Sequence, residues 1–491
     1  MSMKLRELLE DVACTGIRWP EEEDFDQEIT GITSDSREVA AGGMFVCIRG
    51  FLADGHEYID KAVEAGAGAV IVEEMPERHL DAVMIQVEDS REAMAKIAAA
   101  WFGHPADRMV MIGLTGTKGK TTTAHMIKKI LEEAGKKTGM IGTIGAYIGA
   151  EKIPTKNTTP GPYELQEILA QMEREGCTHV VMEVSSQGLK QHRTDGIHFR
   201  YGAFLNISPD HIGEGEHADF AEYLSCKKLL FRQSHYGIIN LGDAHGKEML
   251  ELTGHPVTFS RDQGGDYQAH DIRNIWEPGL LGVSFDLDGK ESAHMVLNMP
   301  GEFNVENALA AISVARTEGI DMETVRAALK KVFVKGRTQL VQDSAHFTNI
   351  IIDYAHNALS IESLLHLLKS YHPKRLICVF GGGGNRPRQR RRDLGQAAGK
   401  YADLTILTMD NPRFEDMDDI NRDIIEGLDV YNGVYQIIPD RKDAIHYVID
   451  HCGKNDIVAL IGKGHEEYQD VRGVKYPFSE EQVIREYLQT K

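Results

Sequence analysis

Residues 113–123, GLTGTKGKTTT, join a glycine-rich turn to Gly-Lys-Thr, entered from an apolar run and left by a helical pattern. Such a stretch holds phosphate. Backbone N–H groups of the turn and of the helix N-terminus face the oxygens, Lys120 adds positive charge, and the hydroxyl of Thr121 or Thr122 reaches a magnesium ion. The strict P-loop spacing is not kept: the position five before Gly119 is Leu114, and the outer glycine, Gly113, comes one residue earlier. A nucleotide is implied, but not the chemistry done with it.

Magnesium beside nucleotide phosphates takes hard oxygen ligands, with an occasional imidazole. Two strand ends offer them: Glu183 closes VVME, and Asp210 with His211 follows FLNIS. Glu183 could also cap a turn, and His211 could be an ordinary surface histidine. Doubly wound nucleotide enzymes nevertheless place metal-binding carboxylates at strand ends beside the P-loop strand. NTTPGP (157–162) gathers hydroxyls and prolines ahead of a helix, and SSQGLKQHR sets Ser185, Ser186 and Arg193 just beyond Glu183. A helix boundary and a solvated charge are the plain alternatives.

These residues need a frame. GMFVCIRG (43–50) and AGAVIVEE (67–74) are strand-like around the helix EYIDKAVEAG, and HPADR (104–108) breaks the chain before the strand MVMIGLT. From 109 to about 335 the strands HVVMEVSS, YGAFLNIS and YGIINLGD alternate with helices, which predicts a parallel sheet with crossover helices. Beyond VFVKGRTQLV, the segments NIIIDYAH, RLICVFGGGG, ADLTILTMDNPR and DIVALIGKG repeat that pattern. The expected fold class is α/β in three domains: 1–107, a small α/β unit; 108–335, a P-loop domain with a mostly parallel sheet; and 336–491, a Rossmann-like open sheet.

Composition narrows the partners. The chain has 491 residues with 54 basic against 75 acidic side chains, a net charge of −21, which argues against a nucleic-acid binder. Six cysteines without a CxxC pair indicate neither a disulfide framework nor a zinc site. The N-terminus, MSMKLRELLEDVACTG, predicts an amphipathic helix rather than a secretory signal, and no run is long enough to span a membrane. A cytoplasmic protein is expected. The basic run NRPRQRRR (385–392) is the one charge anomaly.

In order, TGTKGKTTT, NTTP, MEVSSQGL, HR, NISPDHI, EYLSCKKLLF, GEFNVENALAA, KGRTQLV and IIDYAHN resemble the Mur ligases, ATP-dependent amide-forming enzymes of cell-wall precursor synthesis. TSDSREVAAGGMFVCIRGFLADGHEYI, DNPR and GKGHEEYQ are similar to the branch that adds the third residue of the stem peptide. The resemblance implies ATP and Mg2+, a UDP-N-acetylmuramoyl-dipeptide and a diamino acid as substrates, and a monomer.

Carried onto this sequence, it implies that Thr117, Lys118, Gly119, Lys120, Thr121 and Thr122 bind ATP. Thr121, Glu183 and His211 would hold magnesium. Lys227 matches the lysine that the family carbamylates, although Lys228 is adjacent. Asn304 and Asn307 match the adenine-side segment, and Arg337, Asp353 and His356 match residues that reach the nucleotide when such an enzyme closes. Ser34, Asp35, Ser36, Arg37, His56, Thr158, Thr159, Ser185 and Arg193 would meet the nucleotide-sugar. Asp410, Asn411, Pro412 and Arg413 match the motif associated with meso-diaminopimelate, whose distal carboxylate Arg413 could grip bidentately. Arg386, Gly462 and Glu466 match positions that hold its remaining charges.

Three stretches depart from the family pattern. Asn385 and Pro387 replace acidic residues, DYAHNALS lacks a proline after its histidine, and YPFSEEQV differs from the usual acidic run. The rivals are an L-lysine or folate-extending ligase, a P-loop ATPase, and an inactive nucleotide-sugar-binding homologue.

Overall fold

The computed structural model describes residues 2–50, 53–149, 151–213, 215–342 and 347–491. They form two compact units, Met1–Asp266 with Ala310–Ile320, and Tyr267–Leu309 with Asp321–Lys491.

The first unit opens with a 5-stranded sheet in the order Cys14–Arg18, Val83–Val87, Ala69–Val72, Met44–Val46, Ile32–Thr33. The first pair is antiparallel and the rest parallel. Ala69–Val72 (AVIV) is buried throughout, as a parallel strand covered on both faces requires. Ala69 and Ile71 enter one apolar cluster with the helix Ser90–Trp101, while Val70 and Val72 enter another on the opposite face. The predicted N-terminal amphipathic helix shrinks to one turn, Leu5–Leu8, preceded by a short strand, Met3–Lys4. Tertiary pairing overrides the helical pattern here, because Met3 and Lys4 pair with Ile29 and Glu28.

A larger sheet carries the P-loop strand Val110–Thr115 at its centre, flanked in parallel by His179–Glu183 and Phe199–Phe204. Thr138–Gly142 extends one side and Ser234–Asn240 with Pro256–Ser260 the other, all parallel. The helices Lys120–Glu133, Pro162–Arg174 and Phe220–Arg232 make the crossovers.

The second unit begins with an antiparallel meander, Tyr267–Glu277, Leu280–Gly289 and Ala293–Leu297. This stretch departs from the strand–helix alternation expected up to 335, because connections this short cannot hold a crossover helix. A 6-stranded sheet follows in the order Gln339–Gln342, Phe347–Asp353, Asp456–Ile461, Arg375–Phe380, Leu404–Leu407, Tyr435–Ile437. Only its first pair is antiparallel. Asp456–Ile461 sits inside the sheet, and alternate residues feed the two apolar clusters on its faces. Ligands bind such sheets beyond the carboxyl ends of the strands. All six cysteines are free thiols, and among the described residues no helix is long and apolar enough to cross a membrane.

Candidate active site

The phosphate loop is built as the sequence predicts, with one difference. Gly119 has φ +87° and starts the helix Lys120–Glu133, a conformation that suits glycine. Gly113 lies inside the strand instead: a Cβ there would come within 2.9 Å of both Leu230 Cδ1 and Phe199 Cδ1. The outer glycine thus serves close packing under the helix Phe220–Arg232, not phosphate binding, which explains the irregular spacing.

Lys120 folds back on the loop, its Nζ 2.7 Å from the Gly116 carbonyl and 3.3 Å from that of Thr117. Burial pushes its pKa down, while Glu183 and Asp210 pull it up. Asn206, Ser208 and Tyr223 clamp the loop. Asn206 accepts from Lys118 N and donates to its carbonyl, Ser208 N donates to Thr117 Oγ1 at 3.0 Å, and the Tyr223 hydroxyl shares a 3.0 Å hydrogen bond with that oxygen. The sequence reading missed these three, because the side chains of Asn206 and Tyr223 and the backbone N–H of Ser208 reach the loop only through tertiary contact. Thr122 is partly buried.

Glu183 is 2% exposed and accepts from Thr121 Oγ1, Thr143 N and Thr143 Oγ1 at 2.9–3.1 Å. A Cβ on Gly142 would lie 2.1 Å from its Oε1, so the carboxylate occupies space that only glycine leaves free. Among the described residues Glu183 forms no ion pair, although Lys120 is near enough to feel its charge. A buried carboxylate with a threonine hydroxyl beside it is a hard-oxygen donor pair suited to magnesium.

Lys227 is 1% exposed and lies 4.5 Å over the Tyr223 ring, with no hydrogen bond or ion pair among the described residues. Burial pushes its pKa well below the ordinary lysine value. Lys120 adds to that shift and Asp210 opposes it. Lys228 turns outward and pairs with Glu248 at 2.6 Å. The two adjacent lysines are therefore distinct in environment, and the inward one is the reactive candidate. His211, at φ +54° and half exposed, contacts Glu216 at 3.1 Å; its ring is 6.1 Å from that of Tyr223, and it makes no contact with Glu183. His217, absent from the sequence reading, is fully buried, 2.9 Å from Ser186 Oγ and 5.1 Å from the Tyr223 ring.

Next to Glu183, Thr159 Oγ1 donates to the Glu183 carbonyl, accepts from Ser185 N and touches Ser185 Oγ. Thr158 Oγ1 meets Thr143 Oγ1 at 3.1 Å. Arg193 Nη1 donates to the Thr159 carbonyl at 2.6 Å, and its other nitrogens go to Gln191. Burial lowers its pKa, and it has no carboxylate partner among the described residues, which leaves a cation available to an anionic ligand.

In the small sheet domain, Arg37 forks onto Asp35, with Nε–Oδ1 2.9 Å and Nη2–Oδ2 2.6 Å, and holds that carboxyl well below the usual range. SDSR is thus a turn closed by its own charges, with Ser34 and Ser36 beside it. His56 is committed: Nδ1 donates to Asp54 at 2.7 Å and Nε2 accepts from Glu73 N at 3.0 Å.

In the second unit a cavity of about 110 Å³ opens at the carboxyl ends of the parallel strands. It brings together His356, Arg386, Asp410, Asn411, Arg413, Gly462 and Glu466, residues more than 100 positions apart at the extremes. Arg413, at φ +53°, is held by the hairpin Tyr468–Val471 and Val474–Pro477: Arg413 N donates to the Asp470 carbonyl at 3.0 Å, and Arg472 N to the Arg413 carbonyl at 2.7 Å. Its Nη1 reaches the Gly384 carbonyl at 3.2 Å. Pro412 packs its carbonyl against Gly384. Arg391, buried, pairs with Asp423 at 2.9 Å and with Glu415, which also accepts from Asn385 N. That bracing survives the replacement of the acidic residue at 385. Arg390 lines the cavity too, bonded to the His356 carbonyl at 3.1 Å, a cation that the sequence showed only as part of a basic run.

Asp353 is spent on backbone donors, Thr338 N and Ala355 N, both at 2.7 Å; burial raises its pKa against those bonds. Arg337 lies 5.6 Å over the Tyr354 ring, and His356 donates from Nδ1 to the Tyr354 carbonyl. Asn304 donates to the Pro300 carbonyl and accepts from Asn307, both amides buried in the helix Glu302–Thr317.

Comparison with known proteins identifies the family. Residues 28–102 match the description "Mur ligase family, catalytic domain", 114–315 "Mur ligase middle domain", and 336–464 "Mur ligase, glutamate ligase domain". The chain belongs to the Mur ligase family. It is 41% identical over 465 residues to a UDP-N-acetylmuramoyl-L-alanyl-D-glutamate–2,6-diaminopimelate ligase of Aquifex aeolicus, covering 94% of each chain. To the ligase of the same name from Caldanaerobacter subterraneus it is 39% identical over 464 residues, covering 94% of this chain and 95% of the relative. A solved structure of a ligase with that name superposes with a TM-score of 0.76 at 28% identity, covering 100% of this chain and 99% of the other.

Proposed function

We infer that the chain is an ATP-dependent ligase that adds meso-diaminopimelate to UDP-N-acetylmuramoyl-L-alanyl-D-glutamate in peptidoglycan precursor synthesis, working in the cytoplasm. The cavity carries the reading: Arg386, Arg390 and Arg413 face it together with Asp410 and Glu466, so it offers both signs of charge to a substrate that carries two carboxylates and two amines. Arg413 grips the distal carboxylate in a bidentate pair, a group L-lysine lacks. We place the domain boundaries at 1–107, 108–335 and 336–491.

The loop from Thr117 to Thr122 binds ATP through backbone N–H groups, and Lys120 shifts from the loop carbonyls to the phosphates. Thr121 and Glu183, with His211, would hold magnesium, which supplies charge neutralisation during phosphoryl transfer. Lys227, whose burial favours the neutral amine, is a nucleophile for carbon dioxide; its carbamate would add a second carboxylate-like group. Arg193 and Thr159 orient the anionic end of the nucleotide-dipeptide. Its carboxylate attacks the γ-phosphorus of ATP to give an acyl phosphate and ADP. The neutral amine of diaminopimelate then adds to the acyl carbon, and the tetrahedral intermediate expels phosphate and loses a proton to leave the amide. Positioning and electrostatics carry most of the acceleration.

Phosphate release from ATP with the nucleotide-dipeptide, run in parallel with meso-diaminopimelate, L-lysine, L-ornithine or no amine, tests this. Release that requires both the nucleotide-dipeptide and diaminopimelate is expected. Equal release in every arm would return the chain to the ATPase alternative.

A further inference from the structure

Behind the wall of the cavity lies a lysine that the functional reading does not use. Lys463 is 0% exposed, yet its Nζ contacts three cavity side chains: Asn411 Oδ1 at 3.0 Å, Asp410 Oδ1 at 3.2 Å and Glu466 Oε2 at 3.4 Å. Each carboxylate keeps one oxygen outside these contacts, Oδ2 of Asp410 and Oε1 of Glu466. Asn411 completes the bracket, donating from Nδ2 to Glu466 Oε2 at 3.0 Å and accepting from Asp470 N at 2.9 Å.

The bracket rests on a second buried charge. Arg441, 0% exposed, pairs with Glu480 at 2.8 Å and donates to the carbonyls of Met409 and Ile461, the residues that precede Asp410 and Gly462. The two loops that supply the acidic side of the cavity are thus tied at their roots by Arg441 and at their tips by Lys463. Two carboxylates brought this close repel unless a cation stands between them, and a cation with three donors in the protein interior fixes their orientation as well as their charge.

We propose that Lys463 is the positioning residue for amine recognition: without touching substrate, it holds Asp410 and Glu466 at the spacing that reads the distal ammonium of the amino acid. This rests on the diaminopimelate reading of the cavity. It makes selectivity a property of a side chain that lies behind the wall.

The test compares wild type with Lys463→Met and Lys463→Gln in steady-state kinetics with each of the three substrates varied, alongside thermal unfolding. Wild type must first show diaminopimelate-dependent turnover; if it does not, the functional reading fails rather than this one. Given that turnover, the variants are expected to raise KM for diaminopimelate roughly 30-fold. KM for ATP and for the nucleotide-dipeptide should stay within about 3-fold, and kcat should fall less than KM rises. Glutamine, which keeps a donor, should lose less than methionine. Unchanged KM for diaminopimelate, an equal change in all three constants, or failure of both variants to fold would overturn the proposal and leave Lys463 a purely structural ion.

Discussion

Thr121 Oγ1 lies 2.9 Å from both carboxylate oxygens of Glu183. The hydroxyl sits on the first turn of the phosphate-loop helix and the carboxylate at the end of the neighbouring strand, so the loop and the proposed metal site are one assembly. Glu183→Gln keeps the shape and the contact with Thr121 but removes the charge. Magnesium affinity, followed as the metal dependence of turnover, is expected to fall about 10- to 100-fold with little change in unfolding temperature.

Lys227 and Lys228 are neighbours with opposite surroundings. Lys227→Met should abolish turnover, with a loss of about 100-fold or more, whereas Lys228→Met, which only frees Glu248 at the surface, should stay within about 3-fold. Isotopically labelled bicarbonate should give a carbamate carbon signal in wild type that is missing from Lys227→Met. Loss of that signal in Lys228→Met instead would reverse the assignment.

Much of this site was legible in the sequence because phosphate binding and strand-end carboxylates depend on local pattern: a turn, a lysine, an acidic residue closing an apolar run. What the sequence hid depends on long-range packing. Gly113 looked like a misplaced loop glycine until Leu230 and Phe199 were found against it. His217 and Lys463 carry no local signature of burial. Lys463 does sit in Gly-Lys-Gly, and flanking glycines at φ +105° and +54° mark a turn tight enough to drive a lysine inward, a signal that could have been read. The meander from 267 to 297 was missed because its strands were absorbed into the alternation on either side.

Arg413→Lys tests the distal carboxylate. An ammonium retains the charge but not the planar fork, so KM for meso-diaminopimelate is expected to rise about 10-fold, and about 30-fold or more for Arg413→Ala, roughly 2 kcal/mol. KM for ATP should not move. A parallel rise in KM for ATP would place Arg413 elsewhere in the reaction.

His192 joins the small sheet domain to the P-loop domain. Its Nδ1 is 2.7 Å from Asp195, its Nε2 3.6 Å from Asp89, and the hydrogen bond to Asp195 raises its pKa against burial. A raised folded-state pKa means the native state holds the proton more tightly. The pair therefore stabilises fully below the ordinary histidine value of about 6.5 and is lost as pH climbs through the raised one. His192→Asn tolerates the φ of +55° and should cost up to about 1 kcal/mol near pH 5.5 but much less near pH 9. Denaturant unfolding at both pH values checks this, and a larger loss at the higher pH would contradict the sign.

The central claim is amide-bond formation, and the mass of the nucleotide product measures it most directly. With ATP, magnesium, UDP-N-acetylmuramoyl-L-alanyl-D-glutamate and meso-diaminopimelate, the enzyme should yield a nucleotide heavier by diaminopimelate less one water, one for each ADP formed. ADP accumulating while the nucleotide-dipeptide keeps its mass would contradict the account.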